Sequence, residues 1–180
     1  MFINACVREC SRTLALSKSV LDKLGGVYTE VNLEREKIKP LNRERLEERE
    51  RLIGQDDFSG DVFKTAKEFS EADTIVIGAP YWDLSFPAIL KIYLEQIMVC
   101  GITFEYRKGA PHGLCKAKKL IYVTTAGGNI YGNYGFEYIK TLSETFFSIP
   151  EVLCFKAEGL DIKGADTEKI MAKAKGEINI

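Results

Sequence analysis

The chain has 180 residues, of which 46% are hydrophobic and 28% charged, an ordinary composition for a globular protein with a substantial core. Lysine and arginine number 25 against 26 aspartates and glutamates, which argues against the basic surface of a nucleic-acid-binding domain. No apolar run approaches the roughly 18 to 20 residues that cross a bilayer, and the N-terminus does not resemble a signal peptide. We therefore predict one soluble, cytoplasmic domain over residues 1–180, with neither a membrane nor a nucleic-acid partner.

The cysteines are odd in number, scattered and without a Cys-x-x-Cys pair; they are Cys6, Cys10, Cys100, Cys115 and Cys154. This pattern argues against a disulfide framework and a structural zinc site, and favours free thiols in a reducing compartment. A redox-active thiol among them is the less favoured alternative. One histidine, His112, cannot by itself form a metal centre, so we predict no metal.

Short apolar runs alternate with helical patterns, which predicts an α/β fold with a parallel sheet covered by helices on both faces. The first strand is predicted at Phe2–Val7 and is followed by a helix at Arg12–Leu24, which ends at a glycine pair. The second strand is predicted at Val27–Leu33, and its alternating pattern indicates a position at the edge of the sheet.

Residues 34–60 are rich in arginine and glutamate, and their only pattern is helical. The favoured interpretation is a solvated helix with ion pairs between residues four apart. The alternative is an arm that packs on a partner subunit or shields the active site. In either case we expect four apolar side chains of this segment to be packed: Leu46, Leu52, Ile53 and Phe58.

Beyond this segment the alternation resumes and brings the count to five strands and about five helices. The strands are predicted at Thr74–Ala79, which has no polar interruption and should be central, at Leu120–Thr124 and at Val152–Ala157. The helices are predicted at Asp61–Ala72, Pro87–Cys100, Phe136–Phe147 and Asp166–Lys175.

The loop Cys6–Thr13 after the first strand has the composition of a phosphate-binding loop. A helix N-terminus supplies unpaired N–H groups, while Arg8 and Arg12 can make charge-assisted contacts and Ser11 and Thr13 offer hydroxyls. It contains neither a dinucleotide-binding glycine motif nor a P-loop. The alternative is that Ser11 only caps the helix.

The loop after the third strand contains Pro80, Tyr81, Trp82, Asp83 and Leu84. Aromatic planes beside free backbone N–H groups suit a flat heteroaromatic ring with polar edges. The alternative is that the aromatic side chains simply cover the end of the sheet.

The loop after the fourth strand contains Thr125, Ala126, Gly127 and Gly128, and continues to Gly135. Paired glycines permit the close approach of a ligand to the backbone. The alternative is an ordinary glycine-rich turn. All three loops follow strand ends, where ligands bind in an open parallel sheet.

Together these loops resemble the flavodoxin-like FMN-dependent NAD(P)H:quinone oxidoreductases and azoreductases. The first loop of that family carries Arg or Ser followed by Ser-x-Ser or Ser-x-Thr, the second reads Ala-Pro-Met-Tyr-Asn-Phe-x-Ile-Pro, and the third reads Ser-x-Gly-Gly. A segment Gly-x-Thr-Phe-x-Tyr with a later Gly-Leu completes the pattern. The matching positions here are Arg8, Ser11, Thr13, residues 79–87, Gly101, Thr103, Phe104, Tyr106, Gly113, Leu114, Thr125, Gly127 and Gly128.

The resemblance implies a flavodoxin-like three-layer sandwich with strand order 2-1-3-4-5, FMN as cofactor and NADH or NADPH as co-substrate. It implies that two electrons pass from the nicotinamide to a quinone, azo compound or similar acceptor by a ping-pong mechanism, without a dedicated acid or base. The FMN phosphate is expected at Arg8, Ser11, Arg12 and Thr13, and the ring edge at the backbone of residues 81–84 and 126–128. Asn129, Tyr131 and His112 are candidates for the acceptor site, and for His112 the favoured alternative is a histidine in a surface loop.

The resemblance further implies a homodimer, with Phe104, Tyr106 and residues 34–60 near the interface. Two departures bear on the acceptor: Asp83 stands where the family usually has Asn, and Trp82 where it has Tyr. Two other functions stay open, a one-electron carrier of the flavodoxin type and a flavin reductase that supplies reduced FMN to another enzyme.

Overall fold

The computed structural model describes every residue from Met1 to Ile180, and its strands form two sheets. The strands are β1 (Phe2–Asn4), β2 (Glu30–Asn32), β3 (Thr74–Gly78), β4 (Phe104–Arg107), β5 (Ala110–Gly113), β6 (Lys119–Thr125) and β7 (Glu151–Ala157). The central sheet is parallel, with the order β2-β1-β3-β6-β7. Because β4 and β5 pair only with each other, this is the predicted order 2-1-3-4-5, and β2 lies at the edge as expected.

The helices are α1 (Arg12–Leu24), α2 (Leu33–Glu36), α3 (Arg43–Gly54), α4 (Lys64–Glu71), α5 (Ala88–Ile97), α6 (Tyr134–Leu142) and α7 (Thr167–Gly176). A 3₁₀ turn at Asp61–Phe63 precedes α4, and a π-helical segment at Ser143–Phe147 continues α6. The predicted limits of α1 are confirmed. The structure has seven α-helices where about five were predicted, because residues 33–54 contain two. None of these helices has the length and apolar character needed to cross a membrane.

Two hydrophobic cores lie on opposite faces of the central sheet. On one face α1 and α7 pack through side chains such as Leu16 and Ala174. On the other face α4, α5 and α6 contribute Phe69, Tyr93 and Ile139. These cores explain why β3, buried on both faces, carries an uninterrupted apolar run and confirm the three-layer prediction.

The first two strands are shorter than predicted. β1 ends at Asn4 instead of Val7 because the Asn4 side chain accepts the N–H of Cys6 at 3.0 Å, which turns the chain out of the sheet. β2 begins at Glu30 instead of Val27 and ends at Asn32, whose side chain caps α2 by accepting the N–H of Arg35 at 3.1 Å. Side-chain capping of this kind competes with strand pairing.

The charged segment 34–60 is helical as predicted, and it packs beside α4 and α5. Leu52, Ile53 and Phe58 join a small apolar cluster with Phe63. The expectation for Leu46 is wrong, because its side chain remains 38% exposed.

The β4–β5 hairpin was not predicted. Arg107 pairs with Ala110, and the two connecting residues, Lys108 and Gly109, have φ angles of 52° and 80°. These values define a type I′ turn, which matches the twist of two strands but usually carries Asn-Gly or Asp-Gly. The hairpin lies close against the π-helical segment, since a side chain at Gly113 would collide with the backbone of Phe147.

Candidate functional site

A cleft of about 430 Å³ opens at the carboxyl edge of the central sheet. Its walls come from the loops after β1, β3, β6 and β7, and its lining residues are Val7, Arg8, Cys10, Ser11, Arg12, Thr13, Pro80, Tyr81, Trp82, Thr125, Gly127 and Asp161. The volume falls within the range of small-molecule sites, about 300–1,000 Å³. The three loops chosen from the sequence therefore meet at one site, and a fourth joins them.

The first wall is the N-terminus of α1. The hydroxyl oxygen of Ser11 accepts the N–H of Leu14 at 3.2 Å, so Ser11 caps α1. The N–H groups of Arg12 and Thr13 have no acceptor in the chain. Capping and anion binding are compatible here, because the cap uses one N–H and leaves two others at the positive end of the helix.

The first and third walls are joined in the interior. The hydroxyl oxygens of Thr13 and Thr125 lie 2.6 Å apart, and both side chains are buried. The Thr13 hydroxyl is thus engaged with the protein, and the N–H of this residue remains available at the cleft.

Tyr81 ties the second wall to the third. Its N–H donates to the carbonyl of Thr125 at 3.0 Å, and its phenolic hydroxyl donates to the carbonyl of Gly132 at 3.0 Å. Both polar ends of the residue are therefore used within the protein, and its ring spans two loops of the site.

The second wall ends in a tight turn without glycine. Trp82 and Ser85 exchange both backbone hydrogen bonds, at 3.1 and 2.8 Å, and enclose Asp83 and Leu84. Asp83 and Leu84 have φ angles of 49° and 68°, so two ordinary L-residues occupy a type I′ turn. Their N–H groups have no acceptor in the chain, whereas those of Tyr81 and Trp82 are already bonded.

The glycines of the third wall face another loop of the protein. The carbonyls of Gly127 and Gly128 accept the N–H groups of Asp161 and Gly159, each at 2.8 Å. A side chain at Gly127 would collide with the carboxylate of Asp161, whereas the corresponding position at Gly128 is open. The N–H of Ala126 is bonded to Ala157, but those of Gly127 and Gly128 have no acceptor.

The fourth wall, the loop after β7, was missed by the sequence analysis. Asp161 accepts two hydrogen bonds from the Arg12 guanidinium, at 2.8 and 2.9 Å. These bonds hold the pKa of the Asp161 carboxyl below its usual value. One sequence signal could have identified this loop: it follows a predicted strand of the parallel sheet, as the other three loops do.

Seven residues predicted for the site do not line this cleft: Asp83, Leu84, Ala126, Gly128, Asn129, Tyr131 and His112. The first four lie in the second and third loops, within two positions of a lining residue. Asn129 and Tyr131 are exposed in the third loop, and Tyr131 is 86% exposed. His112 is exposed on β5, in the hairpin. No group of three or more His, Cys, Asp or Glu side chains is arranged to hold a metal ion.

The strand order and the cleft at its carboxyl edge define a flavodoxin-like α/β protein. The family described as flavodoxin-like fold matches residues 1–179, and the chain belongs to it. Over 181 residues the chain is 34% identical to an FMN-dependent NADH:quinone oxidoreductase from Lachnoclostridium phytofermentans, covering 96% of this chain and 90% of the relative. It is 43% identical over 117 residues to FMN-dependent NADH:quinone oxidoreductase 2 from Clostridium acetobutylicum, covering 61% and 58%.

Solved structures share this fold at lower identity. An azoreductase from Bacillus anthracis Sterne matches with a TM-score of 0.81 at 21% identity, covering 98% of this chain and 94% of that chain. An FMN-dependent NADH-azoreductase from Bacillus anthracis Ames Ancestor, solved in complex with FMN, matches with a TM-score of 0.79 at 20% identity, covering 98% and 93%.

Proposed function

We propose that this chain is an FMN-dependent oxidoreductase that takes two electrons from NADH and passes them to a quinone or an azo compound. One observation carries the proposal. Unpaired N–H groups at the start of α1, two arginines and an exposed tryptophan line a single cleft at the carboxyl edge of the sheet. The 34% identity to an FMN-dependent NADH:quinone oxidoreductase, over 96% of this chain, supports the same reaction.

The lining residues fit the two chemically different parts of FMN. The N–H groups of Arg12 and Thr13 and the guanidinium groups of Arg8 and Arg12 suit the phosphate. The unpaired N–H groups of Gly127 and Gly128 suit the carbonyl oxygens of the ring, and Trp82 offers it a flat apolar surface. When bound, FMN supplies the hydride chemistry, and the protein positions it.

The nicotinamide and the electron acceptor are proposed to use the same site in turn, which gives a ping-pong mechanism. Asn129 and Tyr131 are exposed in the third loop and are proposed to contact the acceptor. His112 is exposed on the hairpin and does not line the cleft, so a surface histidine stays its favoured interpretation. NADH is proposed as the electron donor because the relatives are NADH:quinone oxidoreductases.

The colour of the purified protein tests whether it binds FMN. The protein is expected to be yellow and to release FMN on denaturation, and a colourless protein that FMN cannot reconstitute would overturn the proposal. Trp82→Leu should weaken flavin binding more than Trp82→Phe, which keeps an aromatic plane.

A turnover assay distinguishes this enzyme from an electron carrier and from a flavin reductase. Steady NADH oxidation with a quinone acceptor is expected, with a slower rate for NADPH. Reduction of the bound flavin without turnover would indicate an electron carrier, and rapid release of reduced FMN would indicate a flavin reductase.

The chain is further proposed to form one cytoplasmic domain that assembles as a homodimer. Tyr106 on β4 is 61% exposed and Tyr134 at the start of α6 is 62% exposed, which suits burial against a second copy. Light scattering at micromolar concentration should give the mass of a dimer, and Tyr106→Asp should reduce it toward that of a monomer. A monomeric wild type would contradict the proposed homodimer; the proposed flavin reaction is tested by the two experiments above.

A further inference from the structure

The guanidinium of Arg12 is oriented by the loop after β7. Its Nη1 donates to Asp161 Oδ1 at 2.8 Å and to the carbonyl of Leu160 at 3.2 Å, and its Nη2 donates to Asp161 Oδ2 at 2.9 Å. A guanidinium carries five N–H donors in one plane. Three are therefore used, and those left over are the Nε–H and the second N–H of Nη2. These two lie on the same side of the group and form a second fork, which matches two oxygens of a phosphate.

The acceptors that orient Arg12 are themselves fixed to the backbone. The N–H of Asp161 donates to the carbonyl of Gly127 at 2.8 Å. The carbonyl of Leu160 also accepts the Thr167 hydroxyl at 2.9 Å. Since Gly127 has no side chain, the Asp161 carboxylate can lie directly against the third wall. Loops after two different strands thus determine where the guanidinium points.

We propose that Asp161 is a positioning residue that presents the unused fork of Arg12 to the phosphate of the ligand in the cleft. This inference rests on the proposed function, and it assigns a role to a residue outside the three loops of the sequence resemblance. A free arginine side chain loses rotamer freedom when it binds an anion, whereas Arg12 is already held in place. The carboxylate also repels a phosphate, but its side chain is 65% exposed, so this repulsion is screened by solvent.

Comparison of two flavins tests the inference without an activity assay. Riboflavin has the ring and the sugar chain of FMN but no phosphate. A residue that acts through the phosphate should therefore change the affinity for FMN and leave the affinity for riboflavin unchanged. Binding is measured by the fluorescence of each flavin titrated into the unloaded protein. The variants are Asp161→Asn, Arg12→Gln and their combination. Asp22→Asn is the matched control, because this exposed residue of α1 has no ion pair and lies ten positions, about 15 Å, beyond Arg12.

Asp161→Asn is expected to weaken FMN binding by about tenfold, the scale of a lost charge-assisted hydrogen bond, and to change riboflavin binding by less than about twofold. The double variant should bind FMN no more weakly than Arg12→Gln alone. Unchanged or tighter FMN binding by Asp161→Asn would overturn the inference, since Asp161 would then compete with the ligand for Arg12. An equal loss for both flavins would overturn it too, because the effect would be structural. A wild type that binds neither flavin would overturn the proposed function itself.

Discussion

The hydroxyl oxygens of Thr13 and Thr125 lie 2.6 Å apart in the interior and join the first turn of α1 to the last residue of β6. The two residues are 112 positions apart in the chain. Their hydrogen bond sets the distance between the first and third walls of the cleft.

Replacing Thr13 with valine should lower the free energy of unfolding by about 1–2 kcal/mol, because the Thr125 hydroxyl is left buried without a partner. The double variant with Thr125→Val should lose less than the sum of the two single losses, since no unpaired hydroxyl then remains. Urea unfolding of the four proteins measures these differences. Additive losses would show that the hydroxyls act independently.

Gly127→Ala should weaken FMN binding, because its methyl group would displace the Asp161 carboxylate that orients Arg12. Gly54→Ala is the control, since nothing lies near the added methyl group, its φ is not positive, and it lies on α3 outside the cleft. Flavin fluorescence titrations compare the two variants. Equal affinities would contradict the close approach of Asp161 to Gly127.

Leu84→Gly should raise the free energy of unfolding by about 0.5–1 kcal/mol. A left-handed conformation costs an L-residue about 1–2 kcal/mol, and the greater freedom of glycine in the unfolded chain offsets part of that gain. Leu84→Ala is the control, because it removes the side chain and keeps the φ of 68°. In urea unfolding only the glycine variant should be more stable than wild type; stabilisation by alanine would indicate that the exposed side chain is the cause.

Glu158 should make stability depend on pH in the acid range. Its carboxylate accepts the N–H of Ile130 at 2.7 Å, and this bond holds its pKa below the ordinary 4.5. A lowered folded-state pKa stabilises the protein above the unfolded value, and the contribution is lost as the pH falls through the folded-state pKa. The difference in unfolding free energy between wild type and Glu158→Gln should therefore be constant from pH 7 to about 5 and shrink below about 4.5.

Urea unfolding at a series of pH values checks this dependence. Lys156→Met serves as the control, because it removes the weaker contact to Glu158 at 3.2 Å and keeps the bond from Ile130. This variant should retain most of the acid dependence. A difference between wild type and Glu158→Gln that does not change with pH would contradict the assignment.

Cys10 should be the thiol that reacts fastest with a chromogenic disulfide reagent, because it is exposed at the cleft. Burial raises the pKa of Cys6 to about 11 and that of Cys115 to about 12, which suppresses their reactive thiolates. Bound FMN should slow the fast phase, and Cys10→Ser should abolish it. A fast phase that FMN leaves unchanged would show that the thiol lies outside the occupied part of the cleft.

Local sequence signals were sufficient to predict α1 and its limits. Ser11 caps its N-terminus, the apolar spacing places Leu16 and Val20 in a core, and Gly25 follows the last helical residue. They were insufficient at β1, because the early end of that strand depends on how Asn4 bonds to its neighbours. The β4–β5 hairpin was not predicted because its turn is Lys108-Gly109 and not the usual Asn-Gly or Asp-Gly.

The sequence by itself determined the alternation of strands and helices, the three loops whose residues line the cleft, and the family. These features depend on periodicity, on residue type and on short motifs, all of which are local. The tertiary structure decided which N–H groups stay unpaired at the cleft and brought Asp161 to Arg12 across 149 positions of the chain. Both outcomes depend on where distant strand ends meet, and hydrogen bonds between such segments leave no periodic trace in the sequence.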